Sequence, residues 1–313
     1  MAVYTTVDPP ALAALLEAYP IGRPLRLEGI LQGVENSNYS LETESGRYVL
    51  TLFERRAPEA DLPYFLSLME HLAAAGFPAP QPIRRRDGGL LSMAAGKPAA
   101  IVSFLSGDWP RQPTAADAAI AGAALARLHG AAGDFQGSRG NALGAADWRP
   151  LFARSAAEAD RVRPGLAEAI ASALDDILAR WPKGLPAGAC HLDLFPDNLF
   201  VADGRLSGVI DFYFAATEAY AYDLAIAMNA WCFDGAGRWQ TDRAAALQAG
   251  YERVRPLEAA ERAALPVLLE GAAMRFLLTR LFDWLFPAPG ALVRPKDPLE
   301  QWAALAAHRS MRA

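Results

Sequence analysis

Cysteine is nearly absent. Cys190 and Cys232 are the only two in 313 residues, so neither a disulfide framework nor a metal centre built on paired cysteines is available. Long hydrophobic runs are missing as well: no apolar stretch reaches the roughly 18 residues that cross a bilayer. Positive charge is not gathered anywhere. The net charge is −5, and no lysine/arginine stripe marks a nucleic-acid surface. The single basic run, Arg84-Arg85-Arg86, leads into Asp87-Gly88-Gly89 and reads as a solvated turn flank. Met1 to Asp8 lacks a basic segment followed by an apolar core, so no secretory signal is expected. These absences predict a cytoplasmic chain with no membrane and no nucleic-acid partner. What is present is ordinary for a globular protein: 52% hydrophobic and 21% charged residues. The length exceeds what one core usually supports, which predicts two lobes.

Asp8-Pro9-Pro10 predicts a short helix over about 9–18. Short β-type runs follow at 26–31, 38–42 and 47–53, the last two joined by the Glu44-Ser45-Gly46 turn. The spacing of Phe65, Leu66, Met69, Leu72 and Ala73 predicts a helix over 62–75 with one buried face. Gly76 ends it, and Pro78 and Pro80 prevent its resumption. Runs at 90–93 and 98–104 flank Ala95-Gly96-Lys97, a hairpin signal. This order predicts an antiparallel sheet of five strands carrying one helix. Beyond Gly107-Asp108-Trp109-Pro110 the pattern turns helical, at 117–129, within 158–181, and over most of the remainder. The lobe boundary is placed near 105, giving lobes 1–104 and 105–313.

The densest chemistry lies at His191-Leu192-Asp193, Asp197-Asn198 and Asp211. Leu199-Phe200-Val201 and Leu206 to Ile210 are apolar β runs separated by the turn residues Ala202-Asp203-Gly204-Arg205. If they form a hairpin, counting back from the turn brings Asn198 and Asp211 to its open end, with Asp193 on the loop entering that end. An amide and a carboxylate converging there suit Mg²⁺, which takes one or two protein oxygens plus waters and phosphates. A further carboxylate can accept a proton from an attacking hydroxyl. Those are the requirements of phosphoryl transfer. His191 reads as an orienting residue, because no His/Cys cluster accompanies it.

His191-Leu192-Asp193 with Asn198 and Asp211 resembles the catalytic loop of the protein-kinase-like superfamily, in its aminoglycoside and choline phosphotransferase branch. The resemblance implies a two-lobed α+β fold, ATP and Mg²⁺ as cofactors, Asp193 as catalytic base, and Asn198 and Asp211 as metal ligands. It also implies an adenine-reading hinge at Ile101 to Leu105, with Ser103 and Leu105 as nucleotide contacts, and a phosphate loop at 33–38. In that loop Gly33, Asn36 and Asn38 are candidates. Asn36 and Asn38 could equally close the turn through Asx bonds. The segments around Gly33 to Tyr39, Tyr48 to Glu54, Asp211 to Ala215, Tyr222 to Ala225, Arg275 to Trp284, and Lys296-Asp297-Pro298 resemble the homoserine kinases built on this fold. That resemblance implies L-homoserine as the small-molecule substrate, with choline, ethanolamine or an aminoglycoside as alternatives. A non-catalytic nucleotide-binding regulator is the remaining alternative.

One departure stands out. Thr51 occupies the strand position where these enzymes usually carry a lysine. The following helix offers Phe65 and Leu66 where its glutamate partner would be, with Glu70 a turn further on. Loss of both is coherent, since a lone buried charge is costly, but Thr51 can offer phosphates only a hydroxyl. For the substrate, the apolar segment 274–286 carries Arg275, Arg280 and Asp283. Arg280 and Asp283 are spaced to pair with each other, while Arg275 is the stronger carboxylate candidate. Glu35, Tyr213 and Trp231 are pocket candidates, with core packing equally open for Trp231. Asp223 reads as a brace for the catalytic loop. A monomer or a homodimer fits the sequence equally.

Overall fold

The computed structural model describes residues 3–31, 36–54, 58–287 and 295–312. In chain order its elements are α1 (Pro9–Glu17), β1 (Pro24–Gly29), β2 (Ser37–Thr43), β3 (Gly46–Leu52), α2 (Leu62–Ala74), β4 (Ser92–Ala94) and β5 (Lys97–Ser103). Then come α3 (Ala115–Ala131), α4 (Trp148–Ala153), α5 (Leu166–Ala179), β6 (Ala187–Cys190), β7 (Leu199–Ala202), β8 (Arg205–Val209) and β9 (Ala216–Ala219). The chain closes with α6 (Tyr220–Trp231), α7 (Thr241–Glu252), α8 (Ala259–Leu285) and α9 (Pro298–Arg312). It divides into two compact units. One comprises Met1–Asp108, Asp134–Gly137 and Phe200–Tyr213; the other comprises Trp109–Gly133, Ser138–Leu199 and Phe214–Ala313.

The first unit is built on the expected five-stranded sheet, in the order β1-β2-β3-β5-β4 with every pairing antiparallel. Residues paired across strands share a face. Tyr39 opposes Leu50, which opposes Ile101 on β5, and this rung packs against Leu12, Leu15 and Leu16 of α1. Helix α1 starts where the sequence predicts, with Asp8 Oδ1 accepting the Ala11 amide at 2.7 Å and prolines in its first turn. The neighbouring rung Asn38–Thr51–Ala100 lies on the other face. Residues Phe200 to Val209 of the β7–β8 hairpin join this unit. Asp108 and Val201 exchange backbone hydrogen bonds of 2.9 and 3.1 Å, and the Val209 amide donates to Pro78 O. Gly107 is needed at this contact: its φ is +136°, and a Cβ there would stand 2.2 Å from Ser207 Oγ.

The second unit is mainly helical. A two-stranded antiparallel ladder runs through it, β6 on β9, with Cys190 opposite Ala216. Neither strand is expected from the sequence pattern. Ala-Gly-Ala-Cys and Ala-Thr-Glu-Ala offer little intrinsic β preference, and the ladder forms because the surrounding helices hold the two segments side by side. Helices α3 and α7 approach closely at two glycines. A Cβ on Gly122 would lie 1.9 Å from Leu247 O, and one on Gly250 would lie 2.2 Å from Ala119 O. Helix α3 is anchored at its start by a reciprocal capping box, Thr114 with Asp117.

This close approach generates a prediction. Gly122→Ala forces two backbones apart and should cost about 1–3 kcal/mol, as overpacking does. Gly130→Ala, later on the same helix, places its methyl where nothing lies within 4 Å and should be neutral or slightly stabilising. Urea melts of the two variants against the parent check this; equal midpoints would contradict it.

Candidate active site

The loop that follows β6 has nearly all of its polar backbone accounted for. Asp223, fully buried on α6, accepts the His191 amide on Oδ2 at 2.7 Å and the Leu192 amide on Oδ1 at 2.8 Å. Arg275 on α8 donates through Nη1 to Leu192 O. The Asp193 amide donates to Nδ1 of His191 at 3.2 Å, which fixes that nitrogen as the unprotonated one. Asp193 O accepts the Phe195 amide and Nδ2 of Asn198, both at 2.8 Å. Leu194 O accepts Nε1 of Trp231 at 2.8 Å, so the indole is a buried brace for the loop. Leu192 is held at φ +62°. This left-handed conformation is unfavourable for a branched side chain, and it persists because both of the residue's peptide groups are bonded.

Asp223 itself is held from behind. Nε2 of His129 donates to its Oδ2 at 3.0 Å, and Nδ1 of His129 shares a 2.8 Å hydrogen bond with the Tyr251 hydroxyl. Burial pushes the Asp223 carboxyl up, but the His129 hydrogen bond, the neighbouring imidazoles and the His191 amide outweigh this and leave it below the usual carboxylate range. His129 and Tyr251 sit on α3 and α7, so the glycine-mediated contact of those helices sets their separation. Sequence reasoning missed both residues; a histidine at the C-terminal end of an alanine-rich buried helix was the available signal. Cys190 lies beside this carboxylate, giving a buried group of His129, Cys190 and Asp223. Both imidazole nitrogens and both carboxylate oxygens are engaged in hydrogen bonds, which makes the group a structural core. Burial pushes the Cys190 thiol well above its ordinary range, helped by the Asp223 and Glu218 charges, and burial raises Cys232 to about 12.

Among the substrate candidates, Arg280 pairs with Glu300 on α9 at 2.8 Å, an ion pair the sequence spacing did not suggest. Asp283 is half-buried on the same helix. Arg275 is 2% exposed, and its Nε has no hydrogen-bond partner among the described residues.

In the first unit, Asp211 stands two residues beyond β8 at φ +66°. Thr51 hydrogen-bonds Asn38 Oδ1 at 2.7 Å. The Tyr213 hydroxyl also interacts with Thr51; burial pushes this phenol up, with the Asp211 charge adding to the effect. The Tyr213 ring stands edge-on to Phe53 and Phe65 at 5.2 and 5.9 Å. Thr51, Asn38, Tyr213 and Phe65 thus form one uncharged cluster on and beside β3. Glu70 is bound to Arg84 through two 2.6 Å hydrogen bonds. Asn36 Oδ1 accepts the Glu54 amide, and Ser103 Oγ accepts the Gln81 amide. Leu105 lies against Gly208 of the hairpin. Gly33 and Glu35 lie outside the described residues.

In the second unit, Nδ2 of Asn198 is given to Asp193 O, so Oδ1 is the atom of that side chain whose chemistry suits a hard divalent cation. In the first unit, Asp211 carries a carboxylate, a donor of the same kind.

The phosphotransferase enzyme family matches residues 26–257, and the chain belongs to that family. It is 55% identical to a homoserine kinase of Acidiphilium cryptum over 98% of this chain and 97% of that one. It is 56% identical to a homoserine kinase of Methylobacterium radiotolerans over 100% and 97%. Among solved structures, a microcompartment-associated aminopropanol kinase superposes with a TM-score of 0.72 at 18% identity, covering 97% of this chain and 98% of the other. These confirm the kinase-like fold. No helix among the described residues is long and apolar enough to cross a membrane.

Removing the Asp223 charge tests the loop's anchorage. Asp223→Asn leaves an NH₂ group facing a buried N–H donor and should cost about 3–5 kcal/mol. Because the folded carboxyl sits below its unfolded value near 3.9, its contribution is complete above that pH and is lost as pH falls through the folded value. The parent should therefore lose stability on acidification below about pH 4 more steeply than Asp223→Asn. Denaturant melts at stepped pH values read both effects, and parallel curves would refute the assignment.

Proposed function

We propose that this chain transfers the γ-phosphate of ATP to the side-chain hydroxyl of L-homoserine, giving O-phospho-L-homoserine on the route to threonine. The observation that carries this reading is its 52–56% identity, over nearly the whole length, to homoserine kinases from several bacteria. The braced loop supports it.

Asp193 orients the substrate hydroxyl and accepts its proton. The hydroxyl oxygen bonds to the γ-phosphorus as the bond to the β,γ-bridging oxygen breaks, and ADP departs. In this reading Asn198 and Asp211 would hold Mg²⁺, which would neutralise phosphate charge. His191, through Nδ1, and Asp223, through the two amides, fix the backbone that presents Asp193, so orientation is set before substrate arrives. The residues 33–38 supply phosphate contacts in this reading, since the Thr51 hydroxyl is already given to Asn38. Arg275 is a brace for Leu192 more than a direct ligand. The enzyme acts in the cytoplasm.

A coupled ADP-release assay on homoserine, choline, ethanolamine and kanamycin should show turnover dominated by homoserine and abolished by chelating Mg²⁺. Turnover of choline without homoserine would sink the substrate assignment. Asp193→Asn should lower kcat by about 10²–10⁴-fold, the usual worth of a general base, with the KM for ATP little changed. An Asp193→Ala enzyme of undiminished rate would remove the mechanism.

A further inference from the structure

Lys296 takes no part in the scheme above, yet it stands over the catalytic loop. Its Nζ lies 5.4 Å from the ring centroid of Phe195, two residues beyond Asp193. It has no carboxylate partner and no hydrogen bond among the described residues, and its side chain is exposed. Its C-terminal neighbour is held in place all the same. The next residue, Asp297, caps α9 by accepting the Leu299 amide at 2.8 Å, and Asp297 O accepts from Arg280, itself held by Glu300. Phe195 packs edge-on to Phe276 at 5.2 Å, and the Arg275 guanidinium lies 4.3 Å from the Phe276 centroid.

Two cations therefore flank one aromatic pair beside Asp193. Arg275 is buried, and among the described residues it has neither an acid partner nor an acceptor for its Nε. Buried or fixed charges normally find a counter-charge. Such a pair of positive groups favours an anion and repels a cation. An amino acid bearing a carboxylate suits this potential, whereas quaternary or primary amines without one do not.

We propose that Lys296 is the specificity-determining residue that recognises the α-carboxylate of the acceptor, with buried Arg275 reinforcing the positive potential from behind the loop. This deepens the homoserine reading and rests on it.

The test compares homoserine with 3-aminopropanol, which is homoserine without its carboxylate. The ratio of kcat/KM for the two is measured in the parent, Lys296→Met and Lys296→Arg. Lys296→Met should cut the preference for homoserine by about 10–100-fold, the range a single charged contact discriminates, through KM for homoserine, leaving KM for ATP in place. Lys296→Arg should restore most of the preference. An unchanged ratio in Lys296→Met, or equal losses on both acceptors, overturns the assignment while leaving homoserine as substrate. A parent enzyme inactive on homoserine but active on an amino alcohol overturns both.

Discussion

A single buried carboxylate organises the second unit. Asp223 accepts two consecutive amides, those of His191 and Leu192, while a histidine supports it from the opposite side. A charge without water is costly to bury. It is tolerated here because every oxygen faces a donor, and that same satisfaction is what makes it rigid. The residue it most directly constrains, Leu192, adopts a backbone conformation that an unconstrained leucine would leave. Arg275 closes the other side of that peptide. Asp193 follows immediately, so its placement derives from two charged side chains, Asp223 and Arg275.

The first unit uses the opposite strategy. Around Thr51 it gathers a hydroxyl, an amide, a phenol and a phenyl ring. No desolvated ion pair has to be maintained there, and the polar groups that remain are bonded to one another. Aromatic edge-to-face contacts of Tyr213 with Phe53 and Phe65 do the packing. The arrangement ties the segment after β8 to the centre of the sheet.

How legible was this in the sequence? The five-stranded sheet was, because short β-type runs are separated by turns marked with glycine; so was the β7–β8 hairpin. His191, Asp193, Asn198 and Asp211 stood out as candidates because they fall at spacings set by a turn and a hairpin. The β6–β9 ladder was not, since small residues carry no strand signature and the pairing is imposed from outside. Nor were His129, Tyr251 and the Arg280–Glu300 pair, whose partners lie 20 or more residues away and depend on helix packing. Local pattern announces an element or a motif; it is silent about which distant helix will supply the counter-charge.

Cys190 sits directly before His191, deep in the ladder, and Cys232 is likewise enclosed. Reactivity toward alkylating agents and peroxide belongs to the thiolate, and burial keeps both sulfurs in the protonated form. The enzyme can therefore pass through oxidising episodes, or be handled without reducing agents, with its catalytic loop undisturbed, even though a thiol adjoins that loop in the chain.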